Sequence, residues 1–278
     1  MIIDFHTHAF PDEIALKTVE FLKSKSKTEP FTDGKYSSLS KRASVAGVTL
    51  SMVLPVVTSP KSASKINIFA SNINEVAGET GVFSFGGIHP DCENYKEILN
   101  EIFSLGLKGV KIHPAYQQTP LNDIKYKRII GYAEEKGLIV ITHGGKDIGI
   151  EGDYASPKMS EEVLDEIKPK KFVMAHFGGW EQWEEAENRL IGRDIYLDTA
   201  FTLKNFNYQA DLSISERQPV LDKDKFVKMV RAHGADKVLF GTDSPWGDQN
   251  EQIEYIRSLS LTETEKNKIL GENAKGLL

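Results

Sequence analysis

The chain is predicted to fold as an α/β protein, a (β/α)₈ TIM barrel. Three observations carry this. Eight short runs rich in β-branched and aromatic residues recur along the chain. Longer segments with helical spacing separate them, and no G-x-G-x-x-G follows any of the runs. Strands alternating with helices make a parallel sheet, and without that glycine signature a dinucleotide-binding open sheet is disfavoured. Eight units in 278 residues suit a closed barrel, which routinely reaches this length as one domain.

The strands are expected at 2–8, 48–57, 82–89, 107–113, 138–143, 171–176, 195–201 and 238–243. Helices are expected at 12–25, 66–80, 95–105, 123–136, 160–167 and 223–233, where apolar residues recur at helical intervals. Thr262 and Glu265 have the spacing of a capping box, which would start a closing helix. Residues 26–44, with Phe31, Gly34 and Tyr36, read as a small insertion over the barrel mouth. There is no Pro-, Gly- or Ser-rich linker, so residues 1–278 are expected to form one domain.

Composition narrows the function. Apolar residues make up 40% and charged residues 27%, which allows a buried core. A net charge of −6 without a Lys/Arg cluster argues against nucleic acid as a partner. The one cysteine, Cys92, rules out an intrachain disulfide and fits a reducing compartment. Asp4 and the histidines interrupt the first apolar run, leaving no room for a signal peptide, and no run reaches membrane-spanning length. A soluble cytoplasmic protein is the expectation.

The chemistry begins at "DFHTH", residues 4–8. In an extended segment Asp4, His6 and His8 share one face, so two imidazoles stand side by side. On its own the pair is compatible with two surface histidines. However, His6, His8, His89, His113, His143 and His176 all end predicted strands, and only His233 falls elsewhere, on a predicted helix. Asp243 ends the eighth strand. In a parallel barrel those ends converge on the face that carries chemistry. Three imidazoles and a carboxylate suit a divalent transition metal, most simply Zn²⁺ with Mn²⁺ as an alternative, in an open site with room for water. A bound metal lowers the pKa of that water toward neutrality.

The pattern of His6-Thr7-His8, the lone His143 and His176 on successive strands, and "GTDSPW" at 241–246 resembles the amidohydrolase superfamily. The likeness is to its amidohydrolase-related branch, which holds metal-dependent hydrolases and non-oxidative decarboxylases, and it runs on to "LGENAKGLL" at the C-terminus. The resemblance implies that His6, His8, His143 and Asp243 are metal ligands, with one ion rather than two. It also implies that Asp243 accepts a proton from the metal's water, and that His176 acts on that water or the substrate instead of binding the metal. A dimer is the family's common habit.

Other positions stay open. Lys111 could hold a substrate carboxylate, be carboxylated to bridge two metals as in some relatives, or neutralise buried acids. His113 and His89 each precede a proline and so are held extended; His113 is expected in the pocket, His89 in packing or function. Asp198 and Asp4 could accept a hydrogen bond from a ligand histidine or serve structure alone. Trp180, Trp183, Trp246 and Tyr154 could wall a pocket or pack loops. Gly144-Gly145 and Gly178-Gly179 would let backbone approach a ligand.

Two enzymatic readings follow. The first is a hydrolase in which a metal-activated water attacks a small ester, lactone or amide. The second is decarboxylation of a small aromatic or unsaturated acid at the same site. A barrel without catalysis, kept for binding, is a third, but it has no evident use for an open metal site. Specificity is expected in residues 26–44, 145–157 and 201–218.

Overall fold

The computed structural model describes residues 1–203, 207–208, 213 and 219–278. The expected specificity segment 201–218 therefore lies largely outside the described residues. Strands β1 (Ile3–Thr7), β2 (Leu50–Val53) and β3 (Val82–Ser84) pair in parallel. A second parallel run joins β4 (Gly86–Gly87), β5 (Gly109–Ile112), β6 (Ile139–Thr142), β7 (Phe172–Met174), β8 (Tyr196–Asp198) and β9 (Val238–Leu239). The third and fourth are two halves of one stave, broken at Phe85, whose N–H still donates to Val53 O at 3.0 Å.

The remaining seam closes the barrel. Phe5 N–H donates to Phe240 O at 2.8 Å, and Asp243 N–H donates to His6 O at 2.8 Å. His8 N–H reaches Ser244 O at 2.6 Å. This explains why the last strand is shorter than the sequence predicts. After Leu239 the chain leaves the ladder with β8 and runs beside β1.

Inside the barrel, Ile3, Phe5, Met52, Leu54, Phe85, Ile139, Ile141, Val173 and Leu239 form one apolar cluster. The intervening residues, such as Val110, Ile112 and Val140, pack outward against the helices. That arrangement makes the strands apolar on both faces, as buried parallel strands are.

The helices around the barrel include α1 (Asp12–Ser26), α3 (Ala63–Glu75) followed by the short α4 (Ala77–Thr80), α5 (Tyr95–Ser104), α6 (Ile124–Glu135), α7 (Pro157–Ile167) and α9 (Lys223–His233), close to the predicted spans. Asp123 and Asp222 cap α6 and α9 by accepting from backbone N–H groups of the first turn. The Thr262–Glu265 capping box is formed. Helices α2 (Tyr36–Val45), α8 (Trp183–Arg189) and α10 (Gln249–Ser258) were not expected. The first occupies most of the second half of 26–44; in the first half, Phe31 N–H donates to Pro245 O at 2.7 Å, which ties that loop to the mouth. No helix among the described residues is long and apolar enough to cross a membrane.

Asp4 does not share the face of His6. Pairing between β1 and β2 shifts register between Asp4 and Thr7, which breaks the alternation. The Asp4 carboxylate accepts instead from Thr242 Oγ1 at 2.6 Å, Thr242 N at 3.0 Å and Gln249 Nε2 of α10 at 2.8 Å. Burial pushes its pKa up to about 7. Asp4 thus ties β1 to the segment that carries Asp243, a structural role.

The interior cluster should tolerate a void poorly. Phe5 is fully buried and stacks edge-on against Phe85 with centroids 5.6 Å apart. Phe5→Ala is expected to cost about 3–5 kcal/mol, read as a lower urea midpoint with an unchanged slope.

Candidate active site

Four histidines meet at the C-terminal ends of the strands, and in each one nitrogen is held from behind. His6 Nδ1 donates to Asp198 Oδ2 at 2.8 Å, and His8 Nδ1 to Leu54 O at 2.9 Å. His143 Nε2 donates to Lys146 O at 2.7 Å, and His176 Nδ1 to Ala200 O at 2.9 Å. Acceptors that cannot donate fix these tautomers, so in the neutral ring the opposite nitrogen carries a bare lone pair. Burial holds His6 and His143 well below the ordinary imidazole range and brings His176 down to about 4. These three rings are therefore neutral at neutral pH.

The bare nitrogens point inward. His6 Nε2 and His8 Nε2 lie 3.4 and 2.9 Å from Asp243 Oδ1. That oxygen is buried and makes no hydrogen bond of acceptable geometry among the described residues. His143 Nδ1 faces His176 Nε2 at 3.0 Å, and the His6 and His176 ring centroids are 5.2 Å apart. Two lone pairs facing at that distance repel unless a proton or cation relieves them. Ligand atoms of His6, His8 and Asp243 all lie within 4.8 Å of one another, as a shared ion requires. Nitrogen and carboxylate donors with carbonyl and carboxylate support behind them fit a divalent transition metal. His143 is not in that compact group. It falls instead in a second one, with His113 and Asp147.

Two of these residues sit on strained backbone. His176 has φ +58° and Asp243 φ +61°, both left-handed, as is Phe201 at φ +53°. Such conformations cost on the order of 1–3 kcal/mol each and cluster at functional sites. The seam hydrogen bond from Asp243 N to His6 O holds one of them. Asp198 holds another, because its Oδ1 accepts from His176 N at 2.9 Å and Ala200 N at 3.0 Å.

Lys111 is buried on β5, and burial brings its ammonium down to about 8 against the pull of Asp198 and Asp243. His113 stacks on His143 with centroids 4.3 Å apart, and its Nε2 lies 3.8 Å from Asp147 Oδ2. Sequence reasoning missed Asp147, whose pKa burial pushes up to about 6. Nothing but its place in the 145–157 loop pointed to it. A cavity of about 1060 Å³ opens over these groups, with Tyr116, Trp180, Phe201 and Trp246 among its walls. Trp183 does not wall it but donates Nε1–H to His176 O at 3.0 Å. Tyr154 does not line it either, and His89 lies away from it, accepting from Asp91 N at 3.2 Å.

The glycine pairs serve loop contact. Gly145, at φ +86°, bridges to Trp180, and a Cβ there would lie 2.3 Å from Trp180 N and O. Only glycine lets the loops after β6 and β7 close on each other beside His143 and His176.

A family model, Amidohydro_2, described as amidohydrolase, matches residues 3–278. The chain belongs to this amidohydrolase family. No curated protein matches it by sequence. Among solved structures it is similar to an uncharacterized TIM-barrel protein of Bordetella bronchiseptica, at 18% identity and TM-score 0.72, covering 99% of this chain and 97% of that one. It is also similar to a 2,6-dihydroxybenzoate decarboxylase from Rhizobium, at 14% identity and TM-score 0.70, covering 99% and 98%. A dihydroxybenzoic acid decarboxylase from Polaromonas, solved with manganese and the inhibitor 2-nitroresorcinol, is 14% identical at TM-score 0.69, covering 99% and 96%. At these identities the likeness establishes the TIM-barrel fold and not the reaction.

Asp198 supports both His6 and His176, so its replacement tests the support. In Asp198→Asn one rotamer turns the amide NH₂ toward the His6 N–H, and the other turns it toward the backbone N–H groups. Metal affinity should fall about 10–100-fold, measured by chelator competition on folded protein.

Proposed function

We propose that this amidohydrolase-family chain is a metal-dependent enzyme acting on a small carboxylic acid, and that its reaction is non-oxidative decarboxylation. Lys111 carries the reading. Its ammonium is buried in the cavity wall with no hydrogen-bond partner among the described residues, and it stays largely protonated at neutral pH. A buried cation without an acceptor suits an anionic guest. The 2,6-dihydroxybenzoate decarboxylase of the same fold supports a carboxylate substrate.

In this reading His6, His8, His143 and Asp243 hold one divalent ion. His143 belongs by geometry to the other compact group, with His113 and Asp147, and assigning it to the ion at Asp243 leaves that group two ligands. Zn²⁺ and Mn²⁺ are the ions to test, the latter because the Polaromonas decarboxylase carries manganese. When bound, the ion acts as a Lewis acid on a substrate oxygen. Lys111 anchors the carboxylate. As the bond to the carboxyl carbon breaks, CO₂ leaves and the electron pair stays on the substrate carbon. The bare Nε2 of His176 first takes up a proton from solvent as the substrate enters, and then passes it to that carbon in place of the carboxyl group. Trp180, Phe201 and Trp246 shield that step from water.

Hydrolysis of an ester, lactone or amide is the second reading. Asp243 favours it, because a buried carboxylate oxygen without a hydrogen bond is placed to take a proton from an attacking water.

Product analysis separates the two. Metal-loaded protein given hydroxybenzoic and unsaturated acids should release CO₂ and leave the decarboxylated product. Solvent ¹⁸O in the carboxyl group released from esters, lactones or amides of the same acids, without CO₂ from the acids themselves, would assign hydrolysis. Separately, His176→Ala should retain one ion per chain and lose about 10²–10⁴ in kcat. Loss of the ion from that variant, by elemental analysis, would make His176 a ligand.

A further inference from the structure

The cavity is larger than its chemistry requires. At about 1060 Å³ it sits at the top of the ~300–1,000 Å³ range that encloses a drug-sized ligand. A one-ring acid at Lys111 would leave most of it to water. The unused part runs outward between α1 and α3 and is walled by Ile14, Phe21 and Leu22 from one side and Ile66, Ile68 and Phe69 from the other.

Leu22, Ile66 and Phe69 are partly buried against the core, whereas Ile14, Phe21 and Ile68 lie off the inner faces of their helices. Helix α1 buries Ala15 and Val19 against the barrel, and α3 buries Ala63, Ala70 and Ile73. Ile14 and Phe21 thus add exposed apolar surface to α1 beside Thr18 and Lys25, and Ile68 adds it to α3 beside Lys65 and Asn72, where a surface helix ordinarily presents polar residues. Ile14, Phe21 and Ile68 are 49%, 58% and 51% exposed. Their side chains face the same cavity that His6, His8, Lys111 and Asp243 line. Leu16, also exposed on α1, does not line it. Contiguous apolar surface of this kind marks a binding groove, and its continuity with the candidate metal centre points to one occupant.

We propose that the groove between α1 and α3 binds the apolar body of an elongated substrate whose carboxylate lies at Lys111. This rests on the carboxylic-acid reading above and extends it from a single-ring acid to an acid with a long acyl or multi-ring body. Ile14, Phe21 and Ile68 are then specificity-determining residues, and the chemistry at His176 and Asp243 is unaffected by them.

The test is calorimetric titration of Mn²⁺-loaded protein with butanoate, hexanoate and octanoate. Each methylene buried in the groove should tighten Kd by up to about fourfold, so octanoate should bind at least about tenfold more tightly than butanoate. Phe21→Glu, at an exposed position, should flatten the series and leave butanoate binding unchanged. A flat series in the native protein, or an unchanged slope in Phe21→Glu, overturns the inference while the carboxylate site stands. Binding of none of the three overturns the carboxylate reading as well. A flat series with self-association that Phe21→Glu abolishes, by analytical sedimentation, overturns it and assigns the face to a second copy of the chain.

Discussion

The site depends on hydrogen bonds made behind the imidazoles, away from any substrate. An imidazole free to choose its tautomer would expose an N–H as readily as a lone pair. Here Asp198 and three backbone carbonyls, of Leu54, Lys146 and Ala200, each accept from the outer nitrogen. None of the carbonyls can donate, so every inner nitrogen is left as a base. At His6, His143 and His176 burial reinforces this by disfavouring the charged form. The result is a concentration of lone pairs, those of His6 and His8 beside Asp243, for which the described residues offer no hydrogen-bond donor.

Those acceptors lie on different staves, so the barrel has to close before the site exists. Leu54 follows β2, Lys146 follows β6, and Ala200 follows β8. Asp243 arrives only because the chain beyond β9 leaves its ladder and pairs with β1. The Asp4 carboxylate, bonded to Thr242 and Gln249, locks that same segment from the helix side. First and last strands are therefore joined twice at the level of the site. The left-handed backbone of His176 and Asp243 persists because these bonds over-determine it.

The sequence exposed the barrel because its signal is local: short β-branched runs and helical spacing, each readable within a few residues. It exposed the histidines for the same reason, since strand ends can be found by periodicity. Helices α8 and α10 escaped notice because few apolar residues mark them; α10 buries two glutamines, Gln249 and Gln252, in its stripe. The face of Asp4 was misjudged because a register shift has no composition. Three of the four imidazole acceptors are main-chain carbonyls, which every residue has, so no side chain announces them. Asp147 and the left-handed backbone at His176 and Asp243 belong to the same class. They are products of closure.

Lys111 shows how the apolar floor and the polar layer constrain each other. Below it, Ile139, Ile141 and Phe5 fill the barrel with side chains that offer no hydrogen bond. Around it are neutral imidazoles, also poor neighbours for a cation. Only Asp198 and Asp243 pull its pKa upward, and both carboxylates have other work, one behind His6 and His176 and one among the inward nitrogens. A lysine kept only to neutralise them would form a direct ion pair with one or the other, since an unpaired buried ammonium is costly. No such pair is present among the described residues. An anion entering the cavity would supply the missing partner, and the ammonium lines the same cavity as His6, His8, Asp243 and the apolar groove.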